Sequence, residues 1–210
     1  MSMAARGASA TEAFQVRPLT LDLMEALGAV LRGGWGAGCW CLYPRLTDRQ
    51  MRDLPGAGDH SGRRRAAMAA LAGRAVAPGL LGFRGEEPVG WVAVAPRAEL
   101  ARIVASRATP PLDALPVWVI PCVTVRRAAR GRGVAVALIR AAAEYALGHG
   151  APAVEAYPRA GDGRAEDGSV FFGTEPMFRR AGFAVLRPPI AGLPTRWTPR
   201  VTMRFPPPAM

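Results

Sequence analysis

The chain contains no lysine: all 27 of its basic residues are arginine. That excludes a P-loop, which needs a Lys-Ser/Thr pair after its glycines. Histidine is nearly absent, with two residues, and cysteine is scarce, with three. An odd, small cysteine count demands no disulfide framework, and a reducing cytoplasm is the simplest compartment for it. No window holds 18 uncharged apolar residues, so neither a transmembrane helix nor a membrane partner is expected. The opening MSMAARGASATEA has no contiguous apolar stretch, which argues against a secretory signal. No internal repeat is present.

Half of the 210 residues are apolar, enough for the core of one domain. Residues 1–12 read as a flexible N-terminal tail and 13–210 as a single domain. The formal charge is +11. Such a field attracts phosphate-bearing ligands, and nucleic acid would respond to it too. The densest run, Arg63-Arg64-Arg65, opens a helical pattern and lacks interleaved aromatics. It reads as a solvated face, so nucleic acid is not the expected partner.

The densest information lies in Val117–Ala135, VWVIPCVTVRRAARGRGVA. Its β-branched first part reads as a buried strand. Arg130-Gly131-Arg132-Gly133 makes a basic turn, and Val134 to about Leu147 reads as a helix buried on most sides. The first N–H groups of a helix have no intrahelical partner, and its dipole makes that end positive. Strand, glycine turn and helix start together make an anion site. A dinucleotide fingerprint beginning at Gly131 fails at its third small position, where Val136 stands. The register that fits is Arg130-x-x-Gly133-x-Ala135.

Further elements follow in order. Pro88–Ala95 reads as a strand paired with Gly79–Arg84, and Phe14–Leu19 as a first strand. Leu21–Leu31, Thr47–Leu54 (capped by Thr47), Gly62–Arg74 and Leu100–Arg107 read as helices, and Gly33–Gly38 as a loop. Ala153–Tyr157 reads as a short strand and 159–168 as a loop. Thr174 caps a last helix that Gly182 ends. Ala184–Arg187 and Arg200–Phe205 close the sheet, and the proline-rich stretch between them reads as a substrate-side flap.

Taken in this order, the Arg130 loop and the FFGTEPMFRRAGF segment of the last helix resemble the GNAT acetyltransferases, roughly from Phe14 to Phe205. The Cys39-Trp40-Cys41 segment is similar to that of a bacterial branch of that family. The resemblance implies an α/β fold: a mixed, mostly antiparallel sheet, splayed at its middle, with helices on both faces. It implies acetyl-CoA as cosubstrate and a small-molecule amine, an antibiotic or another metabolite, as acceptor. Acetylation of a protein lysine or N-terminus, and a non-catalytic acyl-CoA-binding sensor, are the alternatives. It leaves room for a homodimer.

By the same resemblance, the cofactor-binding residues are Val123, Thr124 and Val125 on the strand, then Arg130, Gly131, Arg132, Gly133, Val134 and Ala135 in the loop. The Val123 N–H is expected nearest the acetyl oxygen. Direct transfer to an amine needs a base and benefits from an acid. Glu155, mid-strand, is the expected base; a structural carboxylate paired with arginine is the competing reading. Family members often place a tyrosine acid in the last helix, where this chain has Phe178, so Tyr157 is the substitute acid. Asp162, Glu166 and Asp167 are solvated loop charges in this reading. Trp35, Trp40 and Tyr43 are expected around the acceptor pocket; a loop pinned by aromatic burial is the competing reading. Cys122 is expected to pack beneath the sheet as a small apolar residue. Cys39-x-Cys41 lacks the C-x₂₋₄-C spacing of structural zinc sites, so no metal is expected.

Overall fold

The computed structural model describes residues 13–33, 36–161 and 171–206. The expected tail, Trp35 and the charges at Asp162, Glu166 and Asp167 lie outside them. Seven strands form one sheet: β1 (Phe14–Pro18), β2 (Gly79–Arg84), β3 (Glu87–Pro96), β4 (Trp118–Val125), β5 (Val154–Ala156), β6 (Ala184–Arg187) and β7 (Thr202–Phe205). Their spatial order is β1-β2-β3-β4-β5-β7-β6. Every neighbouring pair is antiparallel except β4 with β5. The fold is therefore the α/β, mostly antiparallel sheet expected from the sequence.

Seven helices accompany it among the described residues: α1 (Met24–Leu31), α2 (Gly36–Cys39), α3 (Asp48–Arg52), α4 (His60–Ala72), α5 (Ala101–Val104), α6 (Val134–Gly148) and α7 (Glu175–Arg180). Helix α6 covers one face through Val134, Leu138, Ile139, Ala142 and Ala143, packed on Val92, Ile120, Val123 and Val154. The other face packs α1 and α4 against Leu81, Trp91, Ala93 and Cys122. Strand β4 sends Trp118, Ile120 and Val123 to the α6 face and Cys122 to the other, so its alternation changes phase between Ile120 and Cys122.

Several boundaries differ from the sequence reading. Helix α4 begins at His60, two residues before the expected Gly62, because Asp59 accepts from the Gly62 N–H at 2.7 Å and caps it. The expected 33–38 loop includes the helical turn α2. Helix α5 is a single turn, where an element up to Arg107 was expected. Strand β7 starts at Thr202. Thr47 does cap α3, in a reciprocal box with Gln50.

Two features open the sheet at its centre. Pairing of β4 with β5 covers only Trp118–Val154, Val119–Glu155 and Ile120–Ala156. The next β4 residue is Pro121, which has no N–H to continue a ladder. On the other edge, Ala93 faces Cys122 and Ala95 faces Val119, so Val94 stands opposite two residues, Ile120 and Pro121. That bulge shifts the backbone alternation by one residue, and the Val123 N–H then points away from β3.

Candidate active site

The strand, turn and helix expected around Arg130 are in place. After β4, a single 3₁₀ turn (Arg127–Ala129) leads to Arg130. Gly131 and Gly133 have φ of +75° and +76°, the left-handed region that favours glycine. A Cβ built on either glycine would meet nothing within 4 Å, so the turn is an open cradle. Gly133 caps α6, and the first intrahelical bond is from the Ala137 N–H to the Gly133 carbonyl. The N–H groups of Val134 and Ala135 precede that bond, at the positive end of a 15-residue helix. Arg130 Nε donates to the Val125 carbonyl at 3.2 Å, which ties the loop to the end of the strand. Arg132 is exposed beside it.

Along β4, Thr124 and Val125 are half-buried and Val123 is buried, at the mouth of the split. The Val123 N–H, expected nearest an acetyl oxygen, donates to the Phe171 carbonyl at 2.8 Å. Phe171 thus sits across the opened strand pair. Its ring meets Tyr43 edge-on at 5.9 Å.

Tyr43 leads into a pocket of about 440 Å³, lined also by Cys39, Asp48, Arg52, Arg64 and Arg102. Arg102 lies 4.0 Å over the Tyr43 ring and donates to Asp48 at 2.8 Å. That bond, with the charge of Arg102, holds the Asp48 carboxyl below its usual range. Trp40, expected in the same wall, turns elsewhere. Its indole N–H donates to Ser61 Oγ at 3.2 Å, and a Cβ on Gly28 of α1 would lie 3.3 Å from its ring. Trp40 fastens the loop to α1 and α4; Tyr43 lines the pocket.

Glu155 is 1% exposed. Its Oε1 accepts from Arg204 Nη2 at 2.6 Å and Nε at 3.2 Å, and its Oε2 accepts from the Tyr157 hydroxyl at 2.7 Å. Both oxygens are engaged and no face of the carboxylate is open to an acceptor. Tyr157 is fully buried, and burial first, then the Glu155 charge, pushes its hydroxyl well above the usual tyrosine range. Arg204 also grips Asp113, at 2.6 and 3.0 Å. Phe178, at the position where the family often has a tyrosine, is fully buried and packs edge-on against Phe183 at 5.1 Å.

Sequence reasoning missed Phe171, Asp113 and Arg204. The β5–β7 register pairs Glu155 with Arg204, a separation of 49 residues that no local pattern announces. Asp113 lies 91 residues from Arg204, in a loop whose prolines signal only stiffness.

The sequence matches the acetyltransferase (GNAT) family over residues 43–167. No curated protein matches the chain. Among solved structures, it resembles a protein described as histone acetyltransferase HPA2 and related acetyltransferase from Corynebacterium glutamicum. The TM-score is 0.51 at 22% identity, over 94% of this chain and 98% of that one. It also resembles the PaiA N-acetyltransferase of Thermoplasma acidophilum in complex with coenzyme A, with TM-score 0.51, 13% identity, and 91% and 98% coverage. A ribosomal-protein-alanine N-acetyltransferase from Brucella melitensis gives 0.50 at 16% identity, over 90% and 98%. These likenesses speak for the fold, and the family match covers more than half of the sequence. The chain belongs to the GNAT family of acetyltransferases.

Proposed function

We propose that this acetyltransferase moves an acetyl group from acetyl-CoA to the primary amine of a small molecule. The observation that carries the reading is the opened β4–β5 pair running straight into the glycine cradle of α6. Bulge and proline free one edge of β4, and the chain then delivers a row of N–H groups to one point. A pyrophosphate suits that point: Gly131, Arg132, Gly133, Val134 and Ala135 offer N–H groups, and Arg130 and Arg132 offer charge. The pantetheine arm would add along the opened edge of β4 at Val123 and Val125, with Thr124 between them, as an extra strand does.

The Val123 N–H is then the donor for the thioester carbonyl. Its present acceptor is the Phe171 carbonyl, so Phe171 must yield that bond when the acyl group arrives. An N–H preorganised on developing oxyanion charge contributes about 3 kcal/mol. The amine nitrogen forms the new C–N bond as the C–S bond breaks, and the nitrogen must first be deprotonated. Glu155, expected as that base, is saturated by Arg204 and Tyr157, and we assign it to holding β5 and β7 together. Tyr157 keeps its proton and donates it in a hydrogen bond to Glu155. Solvent reaching the Tyr43 pocket accepts the amine proton, and solvent protonates the departing thiolate.

The acceptor site is the pocket beyond Phe171, a volume suited to a small molecule. Three free cysteines suit a reducing compartment such as the cytoplasm.

The test is calorimetric titration with acetyl-CoA, with NADH as control, followed by a thiol-release screen of amines and of peptides. Binding of acetyl-CoA alone, with release in the presence of small amines, is the expected result. Gly133→Asp should lower acetyl-CoA affinity at least about 100-fold, because a carboxylate then occupies the anion cradle. Asp is among the residues that tolerate a left-handed φ, so the variant should fold. Normal binding by this variant would overturn the loop assignment. Binding without turnover on any amine would leave an acyl-CoA-binding module, and turnover on peptides alone would make the acceptor a protein.

A further inference from the structure

Three thiols that acetyl transfer does not use meet on the sheet face opposite α6. Cys41 and Cys122 are buried, and their sulfurs lie 3.4 Å apart although 81 residues separate them. Cys39 is half-buried and lines the Tyr43 pocket. Cys39 shares its turn with Cys41, and the Cys41 side chain and the backbone at Cys41 and Tyr43 favour its ionised form. With the charge of Arg64, these contacts outweigh burial and draw Cys39 down to about 6. Cys41 moves the other way, held protonated by its bonds to Cys122 and Cys39.

The backbone is arranged for this contact. Trp40 and Cys41 have φ of +49° and +54°, a left-handed pair without a glycine. Such residues stay there only when their surroundings hold them. The Trp40 bond to Ser61 does so, and the turn sends Cys41 inward to β4 while Cys39 stays at the pocket wall.

We propose that Cys39, Cys41 and Cys122 form an oxidation site for hydroperoxides, in which Cys39 reacts first and a Cys41–Cys122 disulfide is the product. The Cys39 thiolate attacks the hydroperoxide, the O–O bond breaks, and Cys39 becomes a sulfenic acid while an alkoxide or hydroxide leaves. The Cys41 sulfur then displaces the sulfenic oxygen, which departs as water with the Cys41 proton, and a Cys39–Cys41 bond forms. The Cys122 sulfur attacks Cys41, and Cys39 leaves as thiolate; the Cys122 proton neutralises the alkoxide. Two thiols are oxidised by two electrons and one hydroperoxide is reduced to an alcohol (or water) and water. The order follows exposure and leaving ability. Only Cys39 faces the pocket, and the thiol that ionises most readily is the best leaving group in the last exchange. The proposal rests on the thiol geometry and does not depend on the identity of the acceptor.

The full chain, treated with a few equivalents of hydrogen peroxide and digested with trypsin without reduction, reads this directly. Cys39 and Cys41 fall in the peptide 33–45 and Cys122 in 108–126. A disulfide joining these two peptides is expected. Cys39→Ser should slow its formation at least about tenfold. Cys41→Ala should prevent it and leave a sulfenic acid at Cys39 that dimedone traps. Alkylation of the unaltered protein by iodoacetamide, followed across pH, needs no variant. Cys39 should react first, with a midpoint near 6, in the field of Cys41, Tyr43, Asp48, Arg52, Arg64 and Arg102. Cross-linking at the unaltered rate in Cys39→Ser, no joined peptides, or an ordinary thiol midpoint at Cys39 would each overturn the proposal.

Discussion

Glu155 shows how burial and partners decide what a carboxylate does. A base needs a free lone pair facing the acceptor; Glu155 has one oxygen on Arg204 and the other on the Tyr157 hydroxyl. Its role is to hold three elements at one point: β5, β7 through Arg204, and the 110–116 loop through Asp113 on the same guanidinium. Removing one partner of a buried pair typically costs about 3–5 kcal/mol. Glu155→Gln keeps a hydrogen-bonding oxygen and leaves Asp113 on Arg204, so about 2–3 kcal/mol is expected in urea denaturation. The pH profile of turnover should keep its shape, because in the proposed mechanism the proton on the amine goes to solvent. A profile whose acidic limb moves in Glu155→Gln would return Glu155 to the chemistry.

Helix α6 works because of where it sits on the sheet. Gly82 and Gly90 face each other across β2 and β3. A Cβ on Gly90 would lie 2.7 Å from Leu138 and 3.2 Å from Val134, and one on Gly82 would lie 3.2 Å from Leu138. Val134 is the first residue of the helix, so this close packing fixes the N–H cradle against the sheet. Gly90→Ala should push the start of α6 outward at an overpacking cost of about 1–3 kcal/mol. Acetyl-CoA affinity should fall along with thermal stability, although residue 90 lies on β3, on the side of Val125 away from the opened edge. Unchanged affinity in a destabilised variant would show that the cradle does not depend on the seating of α6. This is also the scale at which the sequence was most readable. The β-branched run of β4, the Gly131–Gly133 turn and the apolar face of α6 are local patterns, so strand, turn and helix follow from neighbours in the chain. The bulge opposite Val94, the Phe171 carbonyl on Val123 and the Glu155–Arg204 pair depend on cross-strand register and long separations. The partner of each is chosen by the tertiary fold, and no window of sequence contains it.

At the scale of the whole molecule, the charge of +11 is not one basic surface. Arginines are distributed among ion pairs, including Arg45 with Glu99, Arg102 with Asp48, Arg126 with Glu87, Arg179 with Glu175 and Arg204 with Asp113. The pairing has a consequence for pH. Arg102 holds Asp48 below its ordinary value, Arg204 does the same for Asp113, and the Gly161 N–H followed by Arg179 lowers Glu175. In the unfolded chain these groups titrate near about 3.9 for Asp and 4.3 for Glu. Between folded and unfolded values the unfolded state binds more protons, so stability rises with pH in that window. The contribution is fully present above the unfolded values and is lost as pH falls through the lower folded ones. Melting temperature should therefore drop steeply on acidification below about pH 4. Asp113→Asn separates this from a general acid effect. At neutral pH the variant should melt below the unaltered protein, because Arg204 has lost one of its two carboxylates. As the pH falls and Asp113 itself becomes protonated, the two melting curves should converge. A gap that stays constant down to the acid limit would mean that the Asp113–Arg204 contact stabilises the fold through packing, and that its charge contributes nothing measurable.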